Sequence, residues 1–510
     1  MRNAVNTITS FLFIALLACP FLALLVGCIV SGQKAVFGAH VATCFIGFGF
    51  VIGLTLWGLL PFYETPTTYL LISFNPLGVL LSTLILFVSF IVHRFSIRYM
   101  DGDKLYSRYF VTLTALTLTA MGMVLADNLF LFWFFWSLSN LLLILLMVHK
   151  KEWLAAKNSG WLAFNTLLPG SLSLLIAVIL MSTSNHTESI QALTDHPNPM
   201  SSPILVAAMG LITMAALIQS ANWPFHRWLL SSLNSPTPVS ALMHAGLVNG
   251  GGILIVKFAP LFAMHAGLLT VLFTFGAISA FLGTFWKLIQ SDIKRMLACS
   301  TMAQMGFMMM QCGLGLFAAA IAHLCWHGLF KAYLFLSTGS AVAQKRYKHE
   351  IQTGKMIPLL VSGIGGLLGM LAFAYMTNKP IFSLQASTFL LVFAFIAATQ
   401  LMLTLIHNNL SIKRILAGLL VAGLAGLLYG GSIHLIELLI PHLTQFYLPK
   451  LSLFHGLALV LFSITWVLFN LGVLQKLNHS KLWLWLYMHL MNASQPAAKT
   501  ITKLRSDYHY

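Results

Sequence analysis

The chain has 510 residues, 59% of them hydrophobic and only 8% charged, with 28 Lys+Arg against 11 Asp+Glu. Globular domains carry roughly 25% charged residues, so this composition excludes a soluble domain and describes a polytopic, all-α membrane protein. The formal charge of +17 does not point to nucleic acid, because the basic residues sit in short loops between apolar runs, where positive charge sets orientation.

After Arg2, an apolar run from about Ile8 to Val30 lacks a small-residue cleavage site, which predicts a first transmembrane helix rather than a removed signal. Runs of about 20 mostly apolar residues then recur. They predict about 15 spans, centred near residues 20, 52, 83, 118, 138, 171, 212, 247, 276, 306, 328, 367, 396, 421 and 464. Cys19, Cys28, Cys44, Cys299, Cys312 and Cys325 all lie in these runs without metal-ligand spacing, and read as small buried hydrophobes.

One set of alternate loops carries Lys34, the Arg94 to Arg108 cluster, Lys150, Lys151 and Lys157, Arg227, Lys287, Lys294 and Arg295. It continues with Lys345, Arg346, Lys348 and Lys355, then Lys413 and Arg414, and the tail from Lys476 onwards. The opposite loops hold only Arg2, Lys257, Lys379 and Lys450. This asymmetry predicts an N-terminus outside and a C-terminus in the cytoplasm of a cell (inner) membrane protein. The tail, which starts LWLWLYMHLMNA, reads as a membrane-surface or docking segment.

The seventh span halts at Asn222-Trp223-Pro224, and the chain restarts after Ser235-Pro236-Thr237-Pro238 with His244 in its first turns. Broken membrane helices survive only inside protein or beside a polar cavity. A break flanked by His226, Arg227 and His244 therefore suggests an ion path. The twelfth span ends similarly in Thr377-Asn-Lys379-Pro380. Two readings stay open for this pairing: an inverted repeat of five-helix units, or two ordinary helix ends followed by proline.

Ionisable groups inside lipid call for a reason. His323, His327 and Lys331 follow an i, i+4, i+8 spacing on the eleventh span, which places them on one helix face. Such a face can pass protons, since histidine titrates near neutrality; the bland reading is a set of polar contacts between helices. HxxxH as a zinc pair lacks a third ligand. Lys379 is either an exit group or a loop residue reaching for the interface. Of the carboxylates, only Asp127 and Glu437 come close to spans, and Asp292 reads as a helix cap. No nucleotide loop or catalytic triad is present, so the chain is predicted to be no enzyme and to hold no cofactor of its own.

LADNLFLFWFFW (125–136), PFHRWLLSSLNSPTPVSALMHAG (224–246), QSDIKRMLACSTMAQMGF (290–307) and HLCWHGLFKAYLFLSTGS (323–340) resemble the antiporter-like membrane subunits. That superfamily includes the large proton-pumping subunit of respiratory NADH:quinone oxidoreductase and the Mrp-type Na⁺/H⁺ antiporter subunits. The resemblance implies about 14–15 transmembrane helices, two inverted five-helix repeats and broken helices 7 and 12. On that pattern, residues 1–107 form N-terminal helices, 108–260 the first repeat, 261–430 the second, and 431–510 a C-terminal helix and cytoplasmic tail. The family's fifth-helix Glu and seventh-helix Lys are replaced here by Ser137 and Gln219, while the ionisable positions His244, His323, His327 and Lys331 are filled and Lys379 lies near the twelfth-helix Lys. These five are the predicted ion-translocating residues.

HRFSIRYMDGD (93–103) and HAGLVNGGG (244–252) resemble more narrowly the membrane subunits of the DabA–DabB type of inorganic-carbon transporter. This implies a cytoplasmic DabA-type partner with a zinc site like that of β-carbonic anhydrases, coupled to proton or other cation flow through this chain. The alternatives are a subunit of a respiratory complex or Na⁺/H⁺ antiporter, and a non-conducting membrane anchor.

Overall fold

The computed structural model describes residues 2–30, 32–60, 67–69, 71–195, 203–342, 356–381, 385–406, 410–444, 451–473 and 480–501. The basic loop residues Lys345, Arg346, Lys348 and Lys355, the loop residue Lys450, and Lys476, Lys503 and Arg505 of the tail lie outside them. The helices are α1 Arg2–Ile29, α2 Ala35–Leu59, α3 Pro76–Tyr99, α4 Tyr106–Leu125, α5 Leu129–Met147, α6 Leu154–Asn185 and α7 Pro203–Gln219. They continue as α8 Thr237–Ala245, α9 Gly250–Lys257, α10 Ala266–Ile289, α11 Ile293–Gly313, α12 Phe317–Leu336 and α13 Met356–Thr377. The last are α14 Ala386–Ile406, α15 Ile412–Leu439, α16 Leu453–Asn470 and α17 Lys481–Ala493. A two-stranded antiparallel hairpin, Thr67–Tyr69 with Ile72–Phe74, joins α2 to α3.

Every predicted span centre falls on a described helix, the eighth being divided between α8 and α9. Thirteen spans, counting α8 and α9 as one, are long and apolar enough to cross a membrane. The two that fall short are α7, at 17 residues, and α11, whose apolar run is diluted by Ser300, Thr301, Gln304 and Gln311. Local chemistry sets the helix starts: Asn75, Asn128, Asp292 and Ser411 each accept a hydrogen bond from a first-turn amide. Asp292 is thus the predicted cap.

Burial sorts the helices into layers. The window along Thr237–Lys257 is 94% buried, that along Leu453–Asn470 only 6%, so the divided span is central and α16 is a rim helix facing lipid. Around the centre, α12 packs on α3, α8, α9, α11 and α15. Close backbone approach replaces bulk where helices cross. A Cβ on Gly276 of α10 would lie 2.6 Å from the Gly306 carbonyl oxygen of α11, as small-residue membrane interfaces require.

The tail is seated rather than free. Ser494 accepts from Gln290 (2.6 Å), the Ala497 amide donates to Ser231 (3.0 Å), and the Thr500 carbonyl accepts from Asn234 (2.8 Å). It therefore lies over the loops on the face that carries the Arg94–Arg108 cluster, termed here the basic face. The α17 helix before it buries no residue within the described chain.

Candidate ion-translocation site

The seventh span stops at Gln219, and its end is held by side chains: Trp228 Nε1 donates to the Ile218 carbonyl (3.2 Å) and Ser279 Oγ accepts from the Trp223 amide (2.9 Å). Proline and the left-handed backbone at Ala221 (φ 48°) prevent continuation. A single α-helical turn, Arg227–Leu230, and a 3-10 turn, Ser232–Asn234, follow before α8. A second interruption, invisible to the periodicity, divides the eighth span in mid-helix at Gly246–Asn249.

There side chains supply hydrogen bonds to the carbonyls at the break, Leu247 O also accepting from the Gly250 amide. Ala245 O accepts from Asn249 Nδ2 (2.7 Å), Leu247 O from Gln219 Nε2 (3.2 Å) and Val248 O from Ser220 Oγ (2.8 Å). Backbone groups without such partners in lipid would each cost several kcal/mol, about enough to forbid the break. Gln219 also donates to Asn140 of α5 (2.9 Å). Both members of that contact are neutral amides.

His323, His327 and Lys331 share one buried face of α12, 8%, 6% and 1% exposed. The two imidazoles lie nearly parallel (16°) with centroids 6.0 Å apart, which is four residues of helical rise at about 1.5 Å each. His323 also meets the Phe307 ring at 5.3 Å. Neither nitrogen of His327 has a hydrogen-bond partner among the described residues. Lys331 Nζ donates to the Leu297 carbonyl of α11 (2.9 Å), and no carboxylate pairs with it among the described residues. Leu297 O accepts from Thr301 as well (2.9 Å), and Thr301 Oγ1 contacts His244 Nδ1 (3.0 Å). His244 is 1% exposed and stacks on Phe335 of α12 at 4.3 Å. The structure therefore brings His244, His323, His327 and Lys331 into one buried cluster between α8, α11 and α12.

Lys379 stands apart, at the opposite face. Its Nζ lies 3.1 Å from Glu437 Oε1 of α15, so it is neither unpaired nor simply snorkelling. Both line a cavity of about 140 Å³ whose floor is Gly315 to Ala319, the start of α12. His323 lies less than two turns further along the same helix. His226 is buried against Trp286 at 4.8 Å, away from this cluster. Among the described residues no three His, Cys, Asp or Glu side chains gather as a metal site.

Sequence reasoning missed Glu437 as the partner of Lys379, and the amides Asn140 and Asn249. The available signal was an Asn in the middle of each otherwise apolar run, one turn after Trp136 and one turn after His244.

A deeply buried, divided helix beside a file of ionisable side chains defines a class. Residues 126–362 match the family described as NADH:quinone oxidoreductase/Mrp antiporter, TM, and residues 67–110 match NADH-Ubiquinone oxidoreductase (complex I), chain 5 N-terminus. Over these residues the chain has the sequence of antiporter-like membrane subunits. Within the class, it is 39% identical over 283 residues (54% of this chain, 50% of the relative) to "Probable inorganic carbon transporter subunit DabB1" of Halothiobacillus neapolitanus. It is 36% identical over 328 residues (62% of each) to "Probable inorganic carbon transporter subunit DabB" of Bacillus anthracis. It is also 32% identical over 304 residues (59% of this chain, 43% of the relative) to NADH-ubiquinone oxidoreductase chain 5 of Schizophyllum commune. The matches span about half to three fifths of the inorganic-carbon relatives' length. In the solved Mrp complex from Dietzia sp. DQ12-45-1b, a chain shares the fold at a TM-score of 0.66 and 21% identity, over 91% of this chain and 56% of that one.

Proposed function

We propose that this chain is the proton-conducting membrane subunit of an energy-coupled inorganic-carbon transporter. It spans the inner membrane with its N-terminus outside. A cytoplasmic DabA-type subunit, with a zinc site like that of β-carbonic anhydrases, docks on the basic face and turns CO₂ into bicarbonate. Proton flow through His244, His323, His327 and Lys331 drives that conversion one way, and Lys379 serves the far end. The zinc and the hydration chemistry belong to the partner. The units 108–260 and 261–430 are read as inverted repeats on the strength of the interruptions after Gln219 and Thr377, the second unit carrying one helix more than the first.

The single observation that carries the reading is Lys331, buried and held by a backbone carbonyl instead of a carboxylate. An intramembrane cation without a counter-ion is a functional feature by default, because a structural contact would use a neutral side chain at lower cost. The names of the relatives above supply the carbon-uptake side of the proposal.

Replacement of Lys331 by Met keeps the packing volume and removes the proton carrier. The expected result is an assembled complex that no longer accumulates bicarbonate. Normal uptake by Lys331→Met cells would overturn the relay. One alternative has a specific observation behind it: Ser137 and Gln219 leave the first half without the family's charged pair, as an anchor would tolerate. Proton flux into liposomes bearing the complex, with and without an uncoupler, separates the two, since an anchor conducts nothing.

A further inference from the structure

His93 is a titratable side chain that the relay above does not use. It lies on α3, is 0% exposed, and faces α4 within a stripe formed by Ser89, His93 and Ser96 at i, i+4, i+7. Its Nε2 is 3.1 Å from Thr114 Oγ1, and its Nδ1 is 2.8 Å from the Ser89 carbonyl and 3.1 Å from Ser89 Oγ. Ser89 Oγ in turn lies 2.6 Å from Thr117 Oγ1. Towards the basic face, three residues along α3 from His93 and not hydrogen-bonded to it, Ser96 Oγ is 2.9 Å from Tyr109 OH, and the Tyr109 ring meets His149 edge-on at 5.6 Å, a ring contact without a hydrogen bond. His149 is itself buried, and its Nε2 ends the series 3.1 Å from Oδ1 of the partly exposed Asp103. At the other end Thr117 lines a cavity of about 60 Å³ at the break in the eighth span, together with Ser139, Gln219, Asn249 and Leu324. Through Leu324 the cavity is walled by α12, the helix that carries the histidine file.

We propose that the α3–α4 interface is a second proton path, joining the basic face at Asp103 and His149 to the centre of the bundle through His93. The proposal rests on the proton-conducting reading above and adds the route by which the centre communicates with that face. Its chemistry is hop and turn. Thr114 Oγ1 has two acceptors in reach, His93 Nε2 and the Phe110 carbonyl at 2.9 Å. Thr117 likewise has Ser89 Oγ and the Leu113 carbonyl at 3.1 Å. Rotation of each hydroxyl therefore exchanges a helix carbonyl for the next member of the file without leaving a proton unbonded.

The imidazole fits both charge states. When neutral, Nδ1–H donates to the Ser89 carbonyl and Nε2 accepts from Thr114; when protonated, both nitrogens donate, to the same carbonyl and to Thr114 Oγ1. A proton taken up at Nε2 from Thr114 is matched by one released from Nδ1 to the Ser89 hydroxyl 3.1 Å away, so the ring is charged only between the two steps and returns neutral. Polar contacts that only glue helices need neither a titratable group at the middle nor a titratable pair and a polar-edged cavity at the ends. With Ser137 and Gln219 in place of the family's charged pair, this interface also supplies an entry that the first half otherwise lacks.

The test is proton flux into pyranine-loaded liposomes containing the complex of this chain with its partner. The variants are Ser89→Ala, Thr117→Val, His93→Gln and, in parallel, Lys331→Met. Thr117→Val is isosteric and Ser89→Ala small, so assembly and melting stay near wild type even where His93→Gln fails to fold. The expected result is a flux lowered at least about tenfold, that is about 1.4 kcal/mol on the transfer barrier, by each file variant that assembles. Undiminished flux in Ser89→Ala and Thr117→Val, with Lys331→Met inactive, overturns this path and leaves the central relay standing. Undiminished flux in all of them, Lys331→Met included, overturns both.

Discussion

Gly328 shows how one missing side chain permits the site. It lies on α12 between His327 and Lys331, and a Cβ there would sit 2.7 Å from the Ala245 carbonyl oxygen. That carbonyl is the first one freed where α8 ends, and backbone cannot step aside as a side chain tip can. Gly328→Ala is therefore expected to push α12 off α8, lowering the thermal midpoint of the purified complex by an overpacking cost of about 1–3 kcal/mol. An unchanged midpoint would mean that the two helices do not approach this closely. Gln219 offers a complementary test. Gln219→Lys puts a charge beside the neutral Asn140 and is expected to destabilise the fold by roughly 3–5 kcal/mol, the cost of one buried unpaired charge. Adding Asn140→Asp supplies the counter-ion at the 2.9 Å contact and should recover most of that loss. A double-mutant cycle with no coupling would show that the two side chains do not meet.

At the scale of the element, the divided span is stabilised by its neighbours rather than by its own sequence. Leu247-Val-Asn249-Gly250-Gly-Gly252 contains three successive glycines, each costing about 1 kcal/mol in a helix interior. Propensity alone therefore weakens this stretch, and the hydrogen bonds from Asn249, Gln219 and Ser220 make a break acceptable in the core. Asn249→Leu leaves the Ala245 carbonyl without its partner and should cost about 1–3 kcal/mol, read as a lower melting midpoint. The sequence shows the first interruption plainly, because Trp223-Pro224 cannot be missed. It hides the second, because apolar residues with glycine read equally well as a close-packed membrane helix.

At the scale of the molecule, the described polar groups run between the two faces. Lys379 and Glu437 mark one face, the α12 file the middle, and His244 with Thr301 the approach to the basic face. Lys379 and Glu437 are only partly buried, 16% and 20% exposed, so their pair contributes about 1 kcal/mol or less to stability. Glu437→Gln should accordingly leave the melting midpoint nearly unchanged while altering the rate of proton flux through the complex. A large loss of stability with normal flux would assign the pair to structure instead.

The membrane class, the positions of all the predicted spans, the Asp292 cap and the clustering of His323, His327 and Lys331 on one face were legible in the residues themselves. Each follows from local rules: about 20 apolar residues to cross lipid, a carboxylate to satisfy first-turn amides, and 3.6 residues per turn. Tertiary packing alone decided that this face points inward, that His244 joins it through Thr301, that Lys379 meets Glu437 58 positions away, and that the eighth span breaks. The physical reason is the same in each case. A lipid-facing and a core-facing side chain look alike along an apolar helix, and only the neighbour across the interface determines whether a polar atom has a partner.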